Sequence, residues 1–444
     1  MNIITIHTSH DGSITISKNG NLIVHAQIDR FNNIIASSQP SIKLLLSIKN
    51  LNIKFDLVYF SFLMESCHNF WIELLKKYDL LKNKCKIMYF ENKHHHYFHS
   101  MCAKATVGDS EHVVVIDGHG SPLNDGYEQE TIFKNNKIIF QSQKNIGFNY
   151  ELKTAEVFNI ENRNRSFRSC GKLMALSAYD KKIKIFQKKT ETLINDVMPT
   201  NNITYTGGVA QNVLANSNFL KRKIKIDPLC TDQGISLGVM NHLLNGKLNL
   251  ISNPIYLGFK PKYNLNKFKF VNVEDKDVCK ILRKEPVGLF QGKSEQGQRG
   301  LGNRSLLVDA TNKKAVDMVK KIKKREWFRP FAPAILEEKA SEFFEIDGTS
   351  PYMLYVFKMK KIINSICSID KTSRIQTVSK KNNLNFYNLL NCFYKMYNIP
   401  LLLNTSLNLS GHTLVEDLDD LYYMMKFSNL RFCYLPEIKK LIMI

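Results

Sequence analysis

Segments with strand-like patterns alternate with helix-like segments over the first half of this 444-residue chain, and this alternation constrains the fold more than any other feature. Two alternating apolar runs flank Asn19-Gly20, a residue pair that strongly favours a tight β-hairpin. Helix-like patterns at 42–48, 150–159 and 181–196 separate the strands. Such alternation predicts an α/β fold with mixed sheets. The predicted strands include 3–6, 13–17, 22–26, 112–116 and 203–206.

A loss of periodicity near residue 250 marks a domain boundary. The segment 249–266 carries Pro254, Gly258 and Pro261 and follows neither a helical nor a strand pattern. A chain of this length is expected to form two or three domains, each large enough to bury its own core. The predicted parts are a first domain at 1–250, a linker at 251–266 and a second domain at 267–444.

Composition excludes several classes of protein. No apolar run approaches the ~18 residues of a membrane span, so no membrane partner is expected. The nine cysteines are scattered and form no C-x-x-C pair, which favours free thiols and a cytoplasmic location. The net charge of +22 is spread along the chain as lysine, without an aromatic-interleaved RNA-binding motif. A nucleic-acid partner is therefore disfavoured, and the positive field is expected to attract anionic small molecules such as phosphates.

A histidine-rich segment followed by an acidic strand end is the first candidate site. His95 and His99 lie one turn apart if the segment is helical, and His94 and His96 then point elsewhere. Asp117 ends the apolar run VVVID, at the strand edge where α/β folds place ligands. Two imidazoles and a carboxylate suit Fe(II), Zn(II) or Mn(II) better than Mg(II). The alternative is a solvated histidine run without a metal.

Glycine-rich turns offer a second kind of candidate. Gly207 and Gly208 lie between a strand and a helix-like segment, where backbone amides favour phosphate, although an ordinary turn would use the same residues. Asn212 and Asn216 are four residues apart in that helix and share a face. Asp232 precedes another helix, either as its cap or as a metal ligand.

Cations interleaved with aromatic and proline residues form a third candidate. They surround Phe328, Pro330 and Phe331, which a solvated charged face would not need. Planar guanidinium groups suit phosphate or carboxylate, so the segment favours an anion pocket over a solvated face. The cations of this cluster are Arg299, Arg304, Lys323, Arg325 and Arg329.

These motifs together resemble the O-carbamoyltransferases of antibiotic and nodulation-factor biosynthesis, the NodU/CmcH type. The resemblance runs in order over essentially the whole chain. Some motifs depart from the family pattern, with Ser368 in place of a histidine and Lys371 in place of a glycine, and the stretch 120–205 is shorter than is common. The matching segments are HHYFH at 95–99, VVVIDG at 113–118, GKLMALSAYD at 171–180, GGVAQN at 207–212, GKSEQGQRGLGNRS at 292–305, KKREWFRPFAPA at 323–334 and PLLLNTSLN at 400–408.

The resemblance implies an N-terminal actin-like ATPase fold, similar to the threonylcarbamoyl-transfer enzyme of tRNA modification, and a C-terminal YrdC-like α/β domain. It implies an enzyme in which the C-terminal domain joins carbamoyl phosphate and ATP, with Mg²⁺, into carbamoyl-adenylate. The N-terminal domain then transfers the carbamoyl group to a hydroxyl of a sugar or small natural product. An iron-type divalent metal is expected there, with zinc or manganese as alternatives, and a homodimer is a further expectation.

By motif, the implied metal ligands are His95, His99, Asp117 and Asp232. The implied nucleotide contacts are Gly207, Gly208 and Asn212, and His10 and Asp11 would lie near the acceptor or the transferred carbamoyl group. The residues implied for the carbamoyl phosphate and carbamoyl-adenylate site are Lys323, Arg329, Arg374 and Ser406, with Arg299 and Asn404 beside them. Two alternatives stay open: threonylcarbamoyl-type modification of tRNA, and a non-catalytic binding protein of the same fold.

Overall fold

A computed structural model describes residues 1–61, 65–89, 95–161, 163–222, 224–250 and 253–444, without the side chains of 65, 66 and 163–168. His94, expected to point away from the metal, lies outside these residues. The chain divides into two compact units. The first comprises 1–174 and 185–259, and the second comprises 175–184 and 260–444. In the described part of the chain, no helix combines the length and apolarity needed to cross a bilayer.

The first sheet of the first unit is a three-stranded meander extended by two parallel strands. The predicted hairpin forms, and both Asn19 (φ 52°) and Gly20 (φ 79°) adopt the left-handed backbone of its turn. The order is β3-β2-β1-β4-β5, with β1 to β3 antiparallel and β4 and β5 parallel to β1. The strands are β1 (Asn2–His7), β2 (Ser13–Lys18), β3 (Asn21–Gln27), β4 (Phe55–Phe60) and β5 (Leu81–Tyr89).

The second sheet of this unit repeats the same plan. Its order is β10-β9-β6-β11-β12, with an antiparallel meander followed by two strands parallel to β6. This duplication of one five-stranded sheet is the arrangement expected of an actin-like fold, and the predicted α/β class is confirmed. Its strands are β6 (His112–Ile116), β9 (Glu130–Lys134), β10 (Lys137–Ser142), β11 (Ile203–Thr206) and β12 (Lys225–Ile226), and the short β7 (Pro122–Leu123) and β8 (Gly126–Tyr127) pair with each other apart from it.

Helices cover the sheets and bury apolar side chains against them. The core of the first sheet includes Ile4, Ile14 and the fully buried Trp71. Two helices, α4 and α9, pack closely because Gly238 has no side chain: a Cβ there would lie 2.0 Å from the carbonyl oxygen of Phe98. The helices are α1 (Asp29–Asn32), α2 (Ile42–Lys49), α3 (Glu65–Lys77), α4 (His95–Val107), α5 (Ile146–Phe158), α6 (Arg163–Leu176), α7 (Lys181–Asp196), α8 (Val213–Ser217) and α9 (Ile235–Leu243).

An eight-stranded mixed sheet organises the second unit. Its order is β13-β22-β21-β14-β15-β20-β16-β19, and an apolar cluster lies on each face. Its strands are β13 (Lys269–Asn272), β14 (Val287–Phe290), β15 (Arg304–Val308), β16 (Ala332–Leu336), β19 (Gln376–Val378), β20 (Leu401–Ser406), β21 (Phe432–Leu435) and β22 (Lys440–Met443), with the short β17 (Phe357–Lys358) and β18 (Thr372–Ser373) paired apart from it. Its helices are α10 (Asp275–Leu282), α11 (Ala315–Lys323), α12 (Ala340–Phe343), α13 (Leu384–Tyr397) and α14 (Leu418–Lys426).

Candidate metal centre and cationic pocket

Four side chains from three parts of the first unit converge on one point. His95 and His99 project from consecutive turns of α4, Asp117 directly follows β6, and Asp232 opens the short turn before α9. One ligand atom from each lies within 4.8 Å of the others. The structure thus brings together the four residues that the sequence resemblance implied as a metal site.

The facing atoms are two imidazole nitrogens and two carboxylate oxygens. His99 Nε2 lies 3.0 Å from Asp117 Oδ2 and 3.3 Å from Asp232 Oδ1. His95 Nε2 lies 3.3 Å from both of these oxygens and 3.2 Å from His99 Nε2. This is the donor set of a borderline divalent cation such as iron, zinc or manganese, so the residues fit the expected metal.

Burial and the opposite charges of the histidines and aspartates shift the pKa values of this cluster. Burial alone would lower the pKa of His95, but the charge of Asp232 and hydrogen bonds with both carboxylates raise it well above its ordinary value. Burial would raise the pKa of Asp117, yet its hydrogen bonds with His95 and His99 hold that pKa below its usual range. The carboxylates therefore stay ionised, as metal ligands must.

Backbone amides fix Asp117 in place. Its Oδ1 accepts hydrogen bonds from the amides of Gly118 at 2.8 Å and Gly208 at 3.2 Å, which leaves Oδ2 for the histidines. Gly207 adopts φ 91°, and a Cβ there would lie 2.2 Å from the carbonyl oxygen of Ile116. The glycine pair predicted as a phosphate turn is therefore placed directly against the metal-site carboxylate.

A second acidic residue, which sequence reasoning missed, holds the first turn of α4. Glu128 Oε2 accepts hydrogen bonds from the amides of His96 at 3.3 Å and Ser121 at 3.1 Å. Ser121 Oγ in turn accepts from the amide of His95 at 3.1 Å. The His96 ring turns away, with Nδ1 2.8 Å from Thr131 Oγ1, as predicted. No spacing rule links residue 128 to this helix, so the sequence carries no signal for the contact.

The turn after β1 lies at the rim of the centre. His10 Nε2 is 3.3 Å from Asp232 Oδ2, and its side chain is 44% exposed. His7, also missed from the sequence, is buried with Nε2 3.9 Å from the same oxygen and Nδ1 2.9 Å from Ser61 Oγ. Asp11 is buried in the same turn with φ 57°. His10 is thus a solvent-exposed neighbour of the buried Asp232 carboxylate.

Asn212 and Asn216 have local partners. Asn212 Oδ1 caps α8 by accepting from the amide of Ala215 at 3.1 Å and also accepts from Gln187 Nε2 at 3.0 Å. Asn216 Nδ2 donates to the carbonyl of Ala210 at 2.8 Å. Both amide side chains stabilise the segment after Gly208.

Lys323, at the end of α11, lies buried among oxygen acceptors of the second unit. Its Nζ donates to the carbonyls of Ser406 and Asn408, each at 2.7 Å, and to the side chain of Asn408. Ser406 Oγ donates to the same Asn408 side chain at 2.7 Å. Burial, followed by the positive charges of Arg325 and Arg329, lowers the pKa of Lys323 well below its ordinary value. Lys323 therefore fixes the end of β20 beside the arginines.

Four arginines lie close enough to repel one another. Burial lowers the pKa of Arg374 well below its usual value, and the charges of Arg299, Arg325 and Arg329 lower it further. The pKa of Arg325 is lowered to about 9, first by burial and then by Arg329 and Arg299. Arg325 is pinned by the carbonyl of Pro330 at 3.2 Å, and Arg329 pairs with Glu326 at 3.3 Å. Such concentrated positive charge suits a polyanionic ligand.

Asn404 and Arg304 border this cluster in different ways. Asn404 Nδ2 donates to Gln376 Oε1 at 2.8 Å, whereas its buried Oδ1 has no hydrogen-bond partner among the described residues. Arg304, which sequence analysis placed in the cationic cluster, is fully buried. It donates to the carbonyls of Gln291 at 2.6 Å and Glu416 at 3.0 Å and stacks on Phe290. Arg304 therefore stabilises the surrounding loops.

The segment that carries this pocket matches a known protein family. Residues 278–439, which contain Lys323 and the four arginines of the pocket (299, 325, 329 and 374), match the family described as the carbamoyltransferase C-terminus. The chain is also similar to nodulation proteins of the NodU and NolO type. It is 44% identical over 144 residues to the nodulation protein NolO of Bradyrhizobium diazoefficiens, covering 30% of this chain and 26% of that protein. It is 31% identical over 232 residues to nodulation protein U of Azorhizobium caulinodans, covering 49% and 41%.

An uncharacterized protein of Methanocaldococcus jannaschii is 33% identical over 271 residues, covering 54% of this chain and 52% of that protein. The chain thus spans about half, or less, of the length of these curated relatives. Among solved structures, MreB5 of Spiroplasma citri bound to ADP aligns with a TM-score of 0.30 and 11% identity over 55% of this chain and 99% of its own. The fold assignment rests on the strand order of the two sheets.

Proposed function

We propose that this chain is an ATP-dependent O-carbamoyltransferase that forms carbamoyl-adenylate in its second unit and transfers the carbamoyl group to an acceptor hydroxyl in its first. The observation that carries the proposal is the convergence of Arg299, Arg325, Arg329 and Arg374 within the segment matched to the carbamoyltransferase C-terminus. ATP and carbamoyl phosphate are both polyanions. Four guanidinium groups, of which Arg329 pairs with Glu326, supply the positive charge that both substrates require.

In the second unit, we propose that water first cleaves carbamoyl phosphate to carbamate and inorganic phosphate. A carbamate oxygen then attacks the α-phosphorus of ATP and displaces pyrophosphate, which leaves carbamoyl-adenylate. Negative charge builds on the phosphoryl oxygens as the new bond forms. The fixed arginines stabilise that charge without having to reorganise. Asn404 Oδ1, buried and without a described partner, would accept an N–H of the carbamoyl group. Lys323 holds the carbonyls of Ser406 and Asn408 that shape this side of the pocket.

In the first unit, the carbamoyl group passes from the adenylate to an acceptor hydroxyl, and AMP leaves. The divalent cation would be held by His95, His99, Asp117 and Asp232, and it supplies Lewis acidity toward a carbonyl or hydroxyl oxygen. The half-exposed His10, whose Nε2 lies 3.3 Å from Asp232 Oδ2, would orient the incoming hydroxyl at the rim. The acceptor we propose is a sugar or a small natural product.

The test uses purified protein supplied with ATP, Mg²⁺ and carbamoyl phosphate, and it measures AMP and pyrophosphate. Wild type should release both only when carbamoyl phosphate is present, and Arg374→Gln should lower the rate at least about 100-fold. Arg431→Gln is the matched control, because Arg431 is 69% exposed and pairs only with Glu285 among the described residues. Equal rates in Arg374→Gln and wild type would contradict the proposal. Binding of tRNA to the immobilised protein, together with carbamoyl-type modification of that tRNA, would instead support the alternative of tRNA modification.

A further inference from the structure

Two exposed aromatic residues of the second unit, Trp327 and Tyr179, lie against each other, and Trp327 is close in sequence to the cations of that unit. Trp327 is 67% exposed and Tyr179 is 44% exposed. Their ring centroids lie 5.0 Å apart at an interplanar angle of 71°. Exposing an indole to water forgoes the stabilisation that burial of a large apolar ring supplies. A platform of this kind is therefore expected to serve a ligand.

The platform and the cationic pocket share one loop. Trp327 lies two residues from Arg325 and two from Arg329, so each pair of Cα atoms is separated by at most about 7 Å. Arg325 is fixed against the ring of Phe331, 5.0 Å away, and Arg329 is tethered to Glu326. A ligand that binds these guanidinium groups therefore has a planar apolar surface within reach.

The face of the indole is not stacked upon. Both ring neighbours of Trp327 in the described part of the chain stand steeply to it, Tyr179 at 71° and Phe328 at 89°. Such edge contacts hold the orientation of the indole, as offset and T-shaped aromatic pairs do. A flat ring could then lie parallel to the indole with little loss of side-chain entropy.

We propose that Trp327, braced by Tyr179, stacks on the adenine ring of ATP while Arg325 and Arg329 bind its phosphates. This inference rests on the proposed function. Of the two substrates proposed for the second unit, ATP alone combines a planar aromatic ring with a polyanionic chain. Stacking of a base on an aromatic side chain contributes ~1–3 kcal/mol. Removal of the indole should therefore weaken ATP binding by about tenfold or more and leave base-free phosphate binding unchanged.

Fluorescence gives a direct readout, because the chain has two tryptophans and Trp71 is fully buried in the first unit. ATP with Mg²⁺ should quench the exposed tryptophan saturably and protect it from iodide. Inorganic tripolyphosphate, which has no base, should do neither. In Trp327→Phe, Trp71 alone remains and should not respond to ATP. A response of Trp71 in that variant, or an unresponsive wild type that still binds ATP, would overturn the inference.

Calorimetry separates the ring from the cations. Trp327→Ala should raise the Kd for ATP about tenfold or more and leave that for tripolyphosphate unchanged, whereas Arg374→Gln should weaken both. Phe427→Ala is the matched control, since Phe427 is an aromatic residue 58% exposed elsewhere in the same unit. An unchanged Kd for ATP in Trp327→Ala, with AMP still formed, would refute stacking and leave the proposed function standing. Equal weakening of both ligands would make the indole a support of the loop, and no ATP binding by wild type would contradict both proposals.

Discussion

At the scale of single residues, Asp117 shows how one carboxylate is divided between two tasks. Its Oδ1 accepts the amides of Gly118 and Gly208, and its Oδ2 faces His95 and His99. Asp117→Asn removes the charge and should lower the bound metal at least about tenfold, because a neutral amide is a poor ligand for a divalent ion. The measurement is metal content after loading and gel filtration. Asp109→Asn, on the surface, should retain full metal content, and an equal content in both variants would contradict the site.

Lys323, a candidate residue of the anion pocket, also stabilises the fold. Its ammonium satisfies the carbonyls of Ser406 and Asn408 in a buried position. Lys323→Met should lower the free energy of unfolding by about 1–3 kcal/mol, since these acceptors lose their donor. Urea denaturation of the variant and of the exposed control Lys321→Met provides the comparison. A stability equal to that of wild type would mean that water replaces the ammonium without cost.

Residue patterns predicted part of the candidate site. The i, i+4 histidines and the strand-end aspartate follow from periodicity. The sequence allowed Asp232 to be either a helix cap or a metal ligand, and the fold places its carboxylate at the candidate metal centre. Glu128 and His7 could not be found, because their contacts join segments far apart in sequence. Arg304 shares the composition of the pocket cations, and only tertiary contacts show that its guanidinium is used within the fold.

At the scale of elements, the first turn of α4 determines the geometry of the metal centre. Glu128 and Ser121 hold the amides of His95 and His96, so they position the ligand helix. Glu128→Ala should weaken metal binding about 10- to 100-fold, as loss of outer-shell partners does. Competition with a chelator measures it, and Glu111→Ala, on the surface beside Lys134, should not change it. An unchanged metal affinity would show that the helix start is fixed by other contacts.

His25, on β3, should make the stability of the folded protein fall as the pH drops. Burial, followed by the charge of Arg30, lowers the pKa of His25 to about 3, and His25 Nδ1 lies 2.9 Å from Thr15 Oγ1. The unfolded chain takes up a proton below pH ~6.5 and the folded chain does not, so stability falls as the pH drops from ~6.5 toward 3. The slope contributed by this group is at most about 1.4 kcal/mol per pH unit.

Denaturation midpoints between pH 7.5 and 4.5 test this dependence. His25→Gln should reduce the slope by about one proton, whereas His112→Gln, at the start of β6, should leave it unchanged. The same slope in wild type and His25→Gln would mean that His25 is protonated in the folded state.

At the scale of the whole molecule, the alternation of strands and helices predicted an α/β protein because each segment has a clear period. The duplication of one sheet order could not be read from the sequence, since strand pairing is a non-local property. The assignment of residues 175–184 to the second unit could not be predicted from the sequence either, because it depends on tertiary contacts and not on the local residue pattern.

In the proposed function, adenylate formation depends on the cations of the second unit and carbamoyl transfer depends on the metal centre of the first. Carbamoyl-phosphate-dependent exchange of labelled pyrophosphate into ATP measures adenylate formation alone. Asp232→Asn should retain this exchange and lose carbamoyl transfer, whereas Arg374→Gln should lose both. Exchange lost in Asp232→Asn but kept in Arg374→Gln would contradict this assignment of the two steps.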